Sequence, residues 1–381
     1  MSSKVYVEDT SIKGRVEEIN IKVERVKKLL EEENLDALYL TRIPNFFWIT
    51  AGADPVVTIC TEDAVAHALI TKDGKKYVIT NAIEDDRMVE EQKLEELGFE
   101  VLTQNWFENK NAEYIKKIVG SLSKVGCDMH FEDTKMIADK IAPLRWSLTY
   151  NEICRYQYLG DYMSEALEKC LATVKPGMTE FEVTGIVARA LWPLQIGQTL
   201  FLVASDERLT YRHPVPSTKK IEKCFMVSCN GRYKGLITTV TRMVYFGKPP
   251  AELLEKYDKN IDLENKIIAA TKPGVDEIVP FNVCKKGYEE AGYPEMFYKH
   301  AQGGPMCYYN REYCTSEAIH NVTQVNTCYC YNPVLNGTKT EDAFIATEDG
   351  PLFVTKPFSF PKIVKTVDGI TMERPGMLVI D

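Results

Sequence analysis

The sequence predicts an α+β fold of two domains, and three observations lead to this prediction. The chain has 381 residues with 45% hydrophobic content, which is enough to build two ordinary cores. Helical and strand patterns alternate along the first 147 residues, as is typical of an α/β domain. In the remainder, the string Lys175-Pro-Gly-Met-Thr-Glu180 returns 97 residues later as Lys272-Pro-Gly-Val-Asp-Glu277, which indicates an internal pseudo-twofold repeat of two halves.

The elements of the first domain, predicted to span residues 1–147, follow from the spacing of apolar residues. Asp73-Gly74 stands between two apolar runs and favours a hairpin. The second domain, predicted to span residues 148–381, begins with a long helix from 151 to 173, and Thr179 or Asp276 is available as a helix N-cap after each repeated string. The elements predicted for the first domain are an amphipathic helix over 11–34, a strand over 35–40, the hairpin strands 65–70 and 76–80, a helix over 85–97, a strand over 99–102 and a helix over 112–123.

Composition excludes several classes of function. The net charge of −9, without a basic patch, argues against a nucleic-acid partner. The N-terminus lacks the apolar core of a signal peptide, and no apolar run approaches the ~20 residues of a membrane span. We therefore expect a cytoplasmic protein with no membrane partner. Its 11 cysteines are expected to be reduced thiols rather than a disulfide framework.

The stretch from Tyr211 to Gly247 carries the strongest functional signal. His213 lies between Arg212 and Pro214, and a second proline, Pro216, further restricts the loop. Two runs rich in apolar and β-branched residues follow, 224–231 and 236–246, and we predict a hairpin with its turn at Asn230-Gly231 and Gly235. A histidine held this stiffly is a good candidate for acid–base chemistry.

This arrangement resembles the pita-bread family of prolidase, aminopeptidase P, methionine aminopeptidase and creatinase. The resemblance rests on His-Pro-x-Pro, a strand, a Gly-x-Tyr-x-Gly turn, a strand closing in Thr-Arg and an exit through Phe-Gly-x-Pro. The order of elements before residue 147 is similar to the N-terminal domain of creatinase and prolidase. The resemblance implies a C-terminal pita-bread domain and pairing as a homodimer.

The family's metal positions are mostly altered in this sequence. The metallopeptidases of the family bind two divalent metals through five side chains, and the resemblance places four changed residues there with only Glu341 retained. Neutral groups cannot offset the lost hydration of a hard divalent pair, so we expect no metal and no other cofactor. The changed residues are Cys229, Thr239, Gly304 and Asn332.

The first functional hypothesis is a metal-independent, creatinase-like hydrolase of a carbon–nitrogen bond in a small, carboxylate-bearing substrate. The resemblance implies that a histidine in the place of His213 shuttles protons, with a carboxylate near it. Two alternatives stay open: a noncatalytic protein that binds a ligand or partner, and an Xaa-Pro peptidase with atypical metal binding. The predicted catalytic residues are His213, Glu341 and Glu312, and the predicted substrate-binding residues are Arg212, His300, Gln302, Arg311, Asn332 and Lys339.

Several single residues have a second interpretation. Cys229 and Cys307 are possible nucleophiles, although a buried, inert thiol is the simpler interpretation. The guanidinium groups of Arg212 and Arg311 suit a substrate carboxylate. Arg242 is expected to pair with a carboxylate beneath the sheet.

Overall fold

The computed structural model describes residues 5–381 and divides the chain into two compact units, one ending at Asn151 and one covering Glu152–Asp381. The chain is mixed α and β throughout, as the sequence predicts. No helix in residues 5–381 has both the length and the apolar content needed to cross a bilayer.

The first unit is built on a six-stranded sheet with strand order β4-β3-β2-β1-β5-β6. Strand β2 is antiparallel to both β1 and β3, whereas the other neighbours run parallel. The predicted Asp73-Gly74 hairpin joins β2 to β3, with Gly74 at φ 83°. The strands are β1 Ala37–Arg42, β2 Asp63–Thr71, β3 Lys76–Asn81, β4 Glu100–Gln104, β5 Val125–Cys127 and β6 Lys135–Met136. The helices are α1 Ile12–Glu32, α2 Ile43–Ile49, α3 Asn111–Val119, α4 Ala138–Ile141 and α5 Pro143–Trp146.

One predicted element of this unit is much shorter than expected. In the segment 85–97, Asp85 and Asp86 are α-helical and a π-helical turn follows at Arg87–Glu91. Lys93 adopts a left-handed φ of 63°, which ends the helical path, and the following turns bury Leu94 and Leu97. The apolar spacing that predicted a helix therefore serves a compact run of turns.

The second unit contains two four-stranded sheets, β18-β9-β8-β7 and β10-β11-β14-β15, and two hairpins, β12-β13 and β16-β17. An isolated bridge between Val240 and Asp342 joins the two halves. Its helices are α6 Tyr150–Leu171, which begins just before the boundary, α7 Glu180–Leu191, α8 Ala251–Ala270, α9 Ile278–Ala291 and α10 Pro294–Phe297. Its strands are β7 Gly197–Ser205, β8 Cys224–Tyr233, β9 Leu236–Phe246, β10 Gly303–Pro305, β11 Thr327–Tyr331, β12 Val334–Leu335, β13 Thr338–Lys339, β14 Ala343–Thr347, β15 Gly350–Phe353, β16 Lys362–Val367, β17 Ile370–Pro375 and β18 Leu378–Ile380.

Each half buries a pair of long helices against its own sheet. Leu159 and Leu167 of α6 and Val183 of α7 pack with Val227 of β8 in the first half. In the second half, side chains of α8 and α9 pack with β11 and β14. The repeated strings make matching contacts, because Gly177 N donates to Ile221 O at 2.8 Å and Gly274 N donates to Thr323 O at 2.9 Å.

Two local predictions in this unit need correction. Thr179 forms the predicted cap of α7 as part of a capping box, but Asp276 does not cap α9, which begins at Ile278 with Glu277 in the cap position. The Asp276 carboxylate instead accepts a hydrogen bond from Ile278 N. The β8–β9 turn lies at Lys234-Gly235, where both residues have positive φ, and β8 runs on through Asn230-Gly231.

Candidate active site

A cavity of about 200 Å³ lies in the second unit, between the His213 loop, the middle of β8, residues 300–314 and the segment from Asn332 to Glu341. These segments come from both halves, so the pseudo-twofold arrangement brings residues more than 100 positions apart to one place. Six of the predicted site residues line the cavity: His213, His300, Arg311, Asn332, Lys339 and Glu341.

Glu341 is the centre of the polar groups in this cavity and is 3% exposed. Its Oε2 accepts hydrogen bonds from Ser228 Oγ at 2.8 Å and from Thr241 Oγ1 at 2.7 Å. Lys339 Nζ lies 3.3 Å from the same oxygen, and an Arg311 guanidinium nitrogen donates to Oε1 at 3.1 Å. The carboxylate is thus held by two hydroxyls and two cations.

The electrostatics keep Glu341 ionised. Burial alone favours the protonated acid, but Lys339, Arg311 and the two hydroxyls outweigh it and lower the pKa of Glu341 to about 2. Two cations facing one carboxylate leave one net positive charge beside the cavity. A buried excess charge is costly unless a counter-ion compensates it, so the site is suited to an anionic ligand.

Two histidines face each other at the cavity. The His213 and His300 rings are 5.4 Å apart between centroids and meet edge to face at 69°. Burial, followed by the charge of Lys339, lowers the pKa of His300 to about 3, so its imidazole is neutral near neutral pH. Within residues 5–381, neither ring nitrogen of His300 has a hydrogen-bond partner, which leaves both available to a ligand.

The low pKa of His300 predicts a pH-dependent stability. The unfolded chain protonates this histidine near pH 6.5, whereas the folded protein resists protonation down to about pH 3. The contribution of neutral His300 to the free energy of unfolding is therefore fully present above pH 6.5. It is lost as the pH falls below 6.5, by at most about 1.4 kcal/mol per pH unit. Replacing His300 with Asn should flatten the plot of unfolding free energy against pH between 6.5 and 4, measured by urea denaturation.

The matched control for this experiment is His320→Asn, because the His320 side chain is 64% exposed. It should leave the slope of the wild-type protein unchanged. Equal slopes for the wild type and His300→Asn would contradict the buried, neutral state of His300.

Three other predicted residues do not line the cavity in the part of the chain that the structure describes. Arg212 donates to Thr210 O and to the sulfur of Met296. The Gln302 amide is occupied by Tyr288 OH and by two carbonyls, one of them His300 O at 2.6 Å, so it supports the backbone beneath His300. Glu312 Oε1 accepts from Tyr308 N at 3.3 Å.

Two residues that sequence reasoning missed, Ser228 and Thr241, lie on β8 and β9. Cys229 does not face the cavity, because its side chain packs in the hydrophobic core of the first half, where burial raises its thiol pKa well above the usual value. Its neighbour Ser228 faces Glu341, and Thr241 stands opposite Ser228 in the register. Strand alternation was the available signal, since the core residues Val227 and Cys229 imply that Ser228 points the other way.

Cys307 is also a poor nucleophile candidate. It is fully buried and does not belong to the cavity lining within residues 5–381. The cysteine that does reach the cavity is Cys314, an exposed residue that the sequence did not single out.

Arg242 pairs with carboxylates beneath the sheet, as predicted. Its guanidinium is fully buried and contacts Glu168 Oε1 at 2.8 Å and Asp342 Oδ1 at 3.0 Å. Because Asp342 directly follows Glu341 in sequence, this network anchors the segment between β13 and β14 that presents Glu341 to the cavity.

Comparison with known proteins identifies the family. The model of metallopeptidase family M24 matches residues 155–341, and that of the creatinase/prolidase N-terminal domain matches residues 22–141. The chain belongs to metallopeptidase family M24. It is similar to the Xaa-Pro dipeptidase of Pyrococcus horikoshii, with 22% identity over 354 residues, 89% of this chain and 97% of that protein.

Other M24 relatives support the same assignment. An uncharacterized peptidase of Staphylococcus saprophyticus is 24% identical over 356 residues, covering 87% of this chain and 97% of that protein. The structure of an Xaa-Pro dipeptidase from Bacillus anthracis superposes with a TM-score of 0.74 at 21% identity, covering 95% of this chain and all of the other. The predicted pita-bread fold is confirmed.

The cavity of this M24 member does not fit a pair of divalent metals. Its single carboxylate, Glu341, already holds two cations and two hydroxyls. Within residues 5–381, no group of three or more His, Cys, Asp or Glu side chains is placed to hold a metal ion. Beside Glu341, the polar side chains that line the cavity include the neutral Ser228 and Asn332 and the cation of Lys339.

The backbone around Gly304 leaves no room for a side chain. The residue has φ +154°, and a Cβ added here would lie 2.6 Å from Tyr313 O and 3.1 Å from Thr315 Oγ1. The contact with the Tyr313 carbonyl cannot be relieved without a shift of the neighbouring backbone. The 313–315 segment therefore occupies the space that a side chain at position 304 needs.

Proposed function

We propose that the chain is a metal-independent hydrolase that cleaves a carbon–nitrogen bond in a small, carboxylate-bearing molecule, with His213 as the general acid and base. The observation that carries this proposal is the cluster of Lys339, Arg311 and Glu341 beside the two histidines. The M24 family and its Xaa-Pro dipeptidase relatives support hydrolysis of the peptidase kind. The specific part of the proposal is that this chain hydrolyses its substrate without a metal, with His213 as the proton carrier.

The cavity favours a substrate with a carboxylate and a neighbouring N–H group. The net positive charge from Lys339 and Arg311 attracts a carboxylate, and the planar guanidinium of Arg311 suits its geometry. Asn332 Oδ1 lines the cavity with no partner within residues 5–381 and can accept a hydrogen bond from an N–H. A cavity of about 200 Å³ limits the substrate to a small molecule.

The chemistry requires one proton carrier. His213 takes a proton from water, the hydroxyl adds to the carbon of the scissile bond, and the carbon–nitrogen bond breaks as the same imidazole returns the proton to the departing nitrogen. Imidazole is the side chain best suited to do both near neutral pH. Glu341 is held by two cations, two hydroxyls and the Cys330 thiol, and it positions Arg311 and Lys339. Glu312 accepts a hydrogen bond from Tyr308 N. Neither carboxylate is therefore assigned a proton-transfer role.

Metal analysis of the purified protein tests the metal-independent part of the proposal. We expect manganese, iron, cobalt and zinc to be far below one equivalent per chain after purification without chelators, and still so after incubation with each ion and desalting. The physical reason is that the cations of Lys339 and Arg311 already occupy Glu341, the only carboxylate that lines the cavity among residues 5–381. Stoichiometric metal that is lost in Glu341→Gln would support an atypical Xaa-Pro peptidase instead.

A substrate screen separates hydrolysis from binding alone. Creatine-like, ectoine-like and proline-containing compounds are the three sets to compare, with product formation and calorimetric binding measured in parallel. Turnover of any compound supports the hydrolase, whereas saturable binding without turnover supports the noncatalytic alternative.

We further propose that the protein is a cytoplasmic homodimer without nucleic-acid or membrane partners. Light scattering of the purified protein measures its mass in solution and so tests the dimer.

A further inference from the structure

The loop that carries His213 is tied at both ends to one buried carboxylate. Glu180, the first residue of α7, is fully buried. It accepts hydrogen bonds from Ser205 N and Oγ, both at 2.9 Å, at the start of the loop. It also accepts from Ser217 N at 2.9 Å and Ser217 Oγ at 2.8 Å, at the end of the loop. One side chain therefore closes the 205–217 loop.

Arg208 strengthens this closure from within the loop. Its guanidinium pairs with Glu180 and also donates to Val215 O at 2.8 Å. Val203 N of β7 donates to Pro214 O at 3.0 Å, which fixes the residue next to His213 against the strand. The His213 side chain itself is exposed apart from its contact with His300, so its position depends on how the loop is held.

The internal repeat places a second buried glutamate in the equivalent position of the other half. Glu277, 97 residues after Glu180, is 1% exposed. Its Oε1 accepts hydrogen bonds from Tyr313 OH and Tyr329 OH, both at 2.6 Å. Tyr313 lies two residues after Arg311 in the other segment that lines the cavity. Each glutamate thus holds one of the two cavity-lining segments, Glu180 at both ends of its loop and Glu277 through Tyr313.

We propose that Glu180 is a positioning residue that places His213 over the cavity, and that its repeat partner Glu277 does the same for the segment carrying Arg311. The loop contacts of Glu180 do not depend on any reaction, but its effect on catalysis rests on the proposed role of His213. The two glutamates provide matched variants, because each should loosen one loop and spare the other.

Hydrogen–deuterium exchange of the full-length protein tests the placement directly. In Glu180→Gln, peptides covering 205–217 should exchange at least tenfold faster than in the wild type, while peptides covering 306–317 should change less than twofold. Glu277→Gln should give the reverse pattern. Ser217→Ala removes a single hydroxyl donor to Glu180 and should give a smaller acceleration of exchange, confined to peptides covering 205–217. This variant replaces Glu180→Gln in the experiment if Glu180→Gln folds poorly.

A spectroscopic measurement on the histidines separates positioning from general stability. With ¹³C-labelled histidine, the ring signals of His213 and His300 should shift in Glu180→Gln, while those of the exposed His320 should not. Where a substrate has been found, kcat should fall at least tenfold in Glu180→Gln with a displaced pH–rate profile. Equal acceleration of both loops in Glu180→Gln, or unchanged exchange together with unchanged His213 signals, would overturn the proposal. If exchange of 205–217 is faster in Glu180→Gln but the wild-type protein turns over no compound, only the proposed hydrolase is contradicted.

Discussion

Replacing His213 with Ala should lower kcat by about 10²- to 10⁴-fold, the usual contribution of a general acid–base group. His213 lines the cavity on the exposed Tyr211–Pro216 turn, and its ring faces a neutral His300. The substrate carboxylate is assigned to Arg311 and Lys339, so KM should change much less than kcat. Steady-state kinetics of the wild type and His213→Ala on a substrate from the screen provide the measurement.

The control for this experiment is His320→Ala, because His320 is exposed and pairs with Asp276 outside the cavity. It should retain wild-type kcat. Because removal of an exposed side chain costs little stability, His213→Ala should unfold at the same urea concentration as the wild type. A kcat within threefold of the wild type in folded His213→Ala would rule out this histidine as the proton carrier.

Replacing Arg242 with Met should destabilise the protein by about 3 kcal/mol or more, because it removes the counter-ion of buried Glu168 and one of the two cations that pair with buried Asp342. Glu168 and Asp342 lie 2.8 and 3.0 Å from this guanidinium, and all three side chains are at most 1% exposed. Arg374 continues to pair with Asp342, and three backbone N–H groups continue to bind Glu168, which places the loss near the lower end of the range for a broken buried pair. The midpoint of urea unfolding measures the change.

A matched surface variant is Lys362→Met, which removes an ion pair with Glu373 whose side chains are each nearly half exposed. It should cost less than about 1 kcal/mol. If both variants lost the same small amount of stability, the buried network beneath Glu341 would not be the anchor described above.

The fold could be predicted largely because its signals are local. The Asp73-Gly74 turn, the β8–β9 hairpin and the repeated strings at 175 and 272 each lie within a short window, and the structure contains all of them. The segment 85–97 was mispredicted because apolar spacing cannot distinguish a helix from turns that bury the same leucines.

The site was only partly predictable because its decisive contacts join distant residues. Glu341 meets Ser228 and Thr241 across more than 95 positions, and no short pattern predicts which hydroxyls a carboxylate binds. Gln302 and Arg212 were plausible ligands by residue type, but their hydrogen bonds are made within the protein. The Ser228 position could have been predicted from alternation along β8, because a one-residue error exchanges the two faces of a strand.

The backbone at Gly304 also restricts how this protein can change. A Cβ introduced there lies 2.6 Å from the Tyr313 carbonyl oxygen, so the present backbone does not accommodate a side chain at this position. The chain between 313 and 315 has to be displaced first. Any attempt to place a longer side chain at position 304 should therefore begin with the 313–315 segment rather than with residue 304 itself.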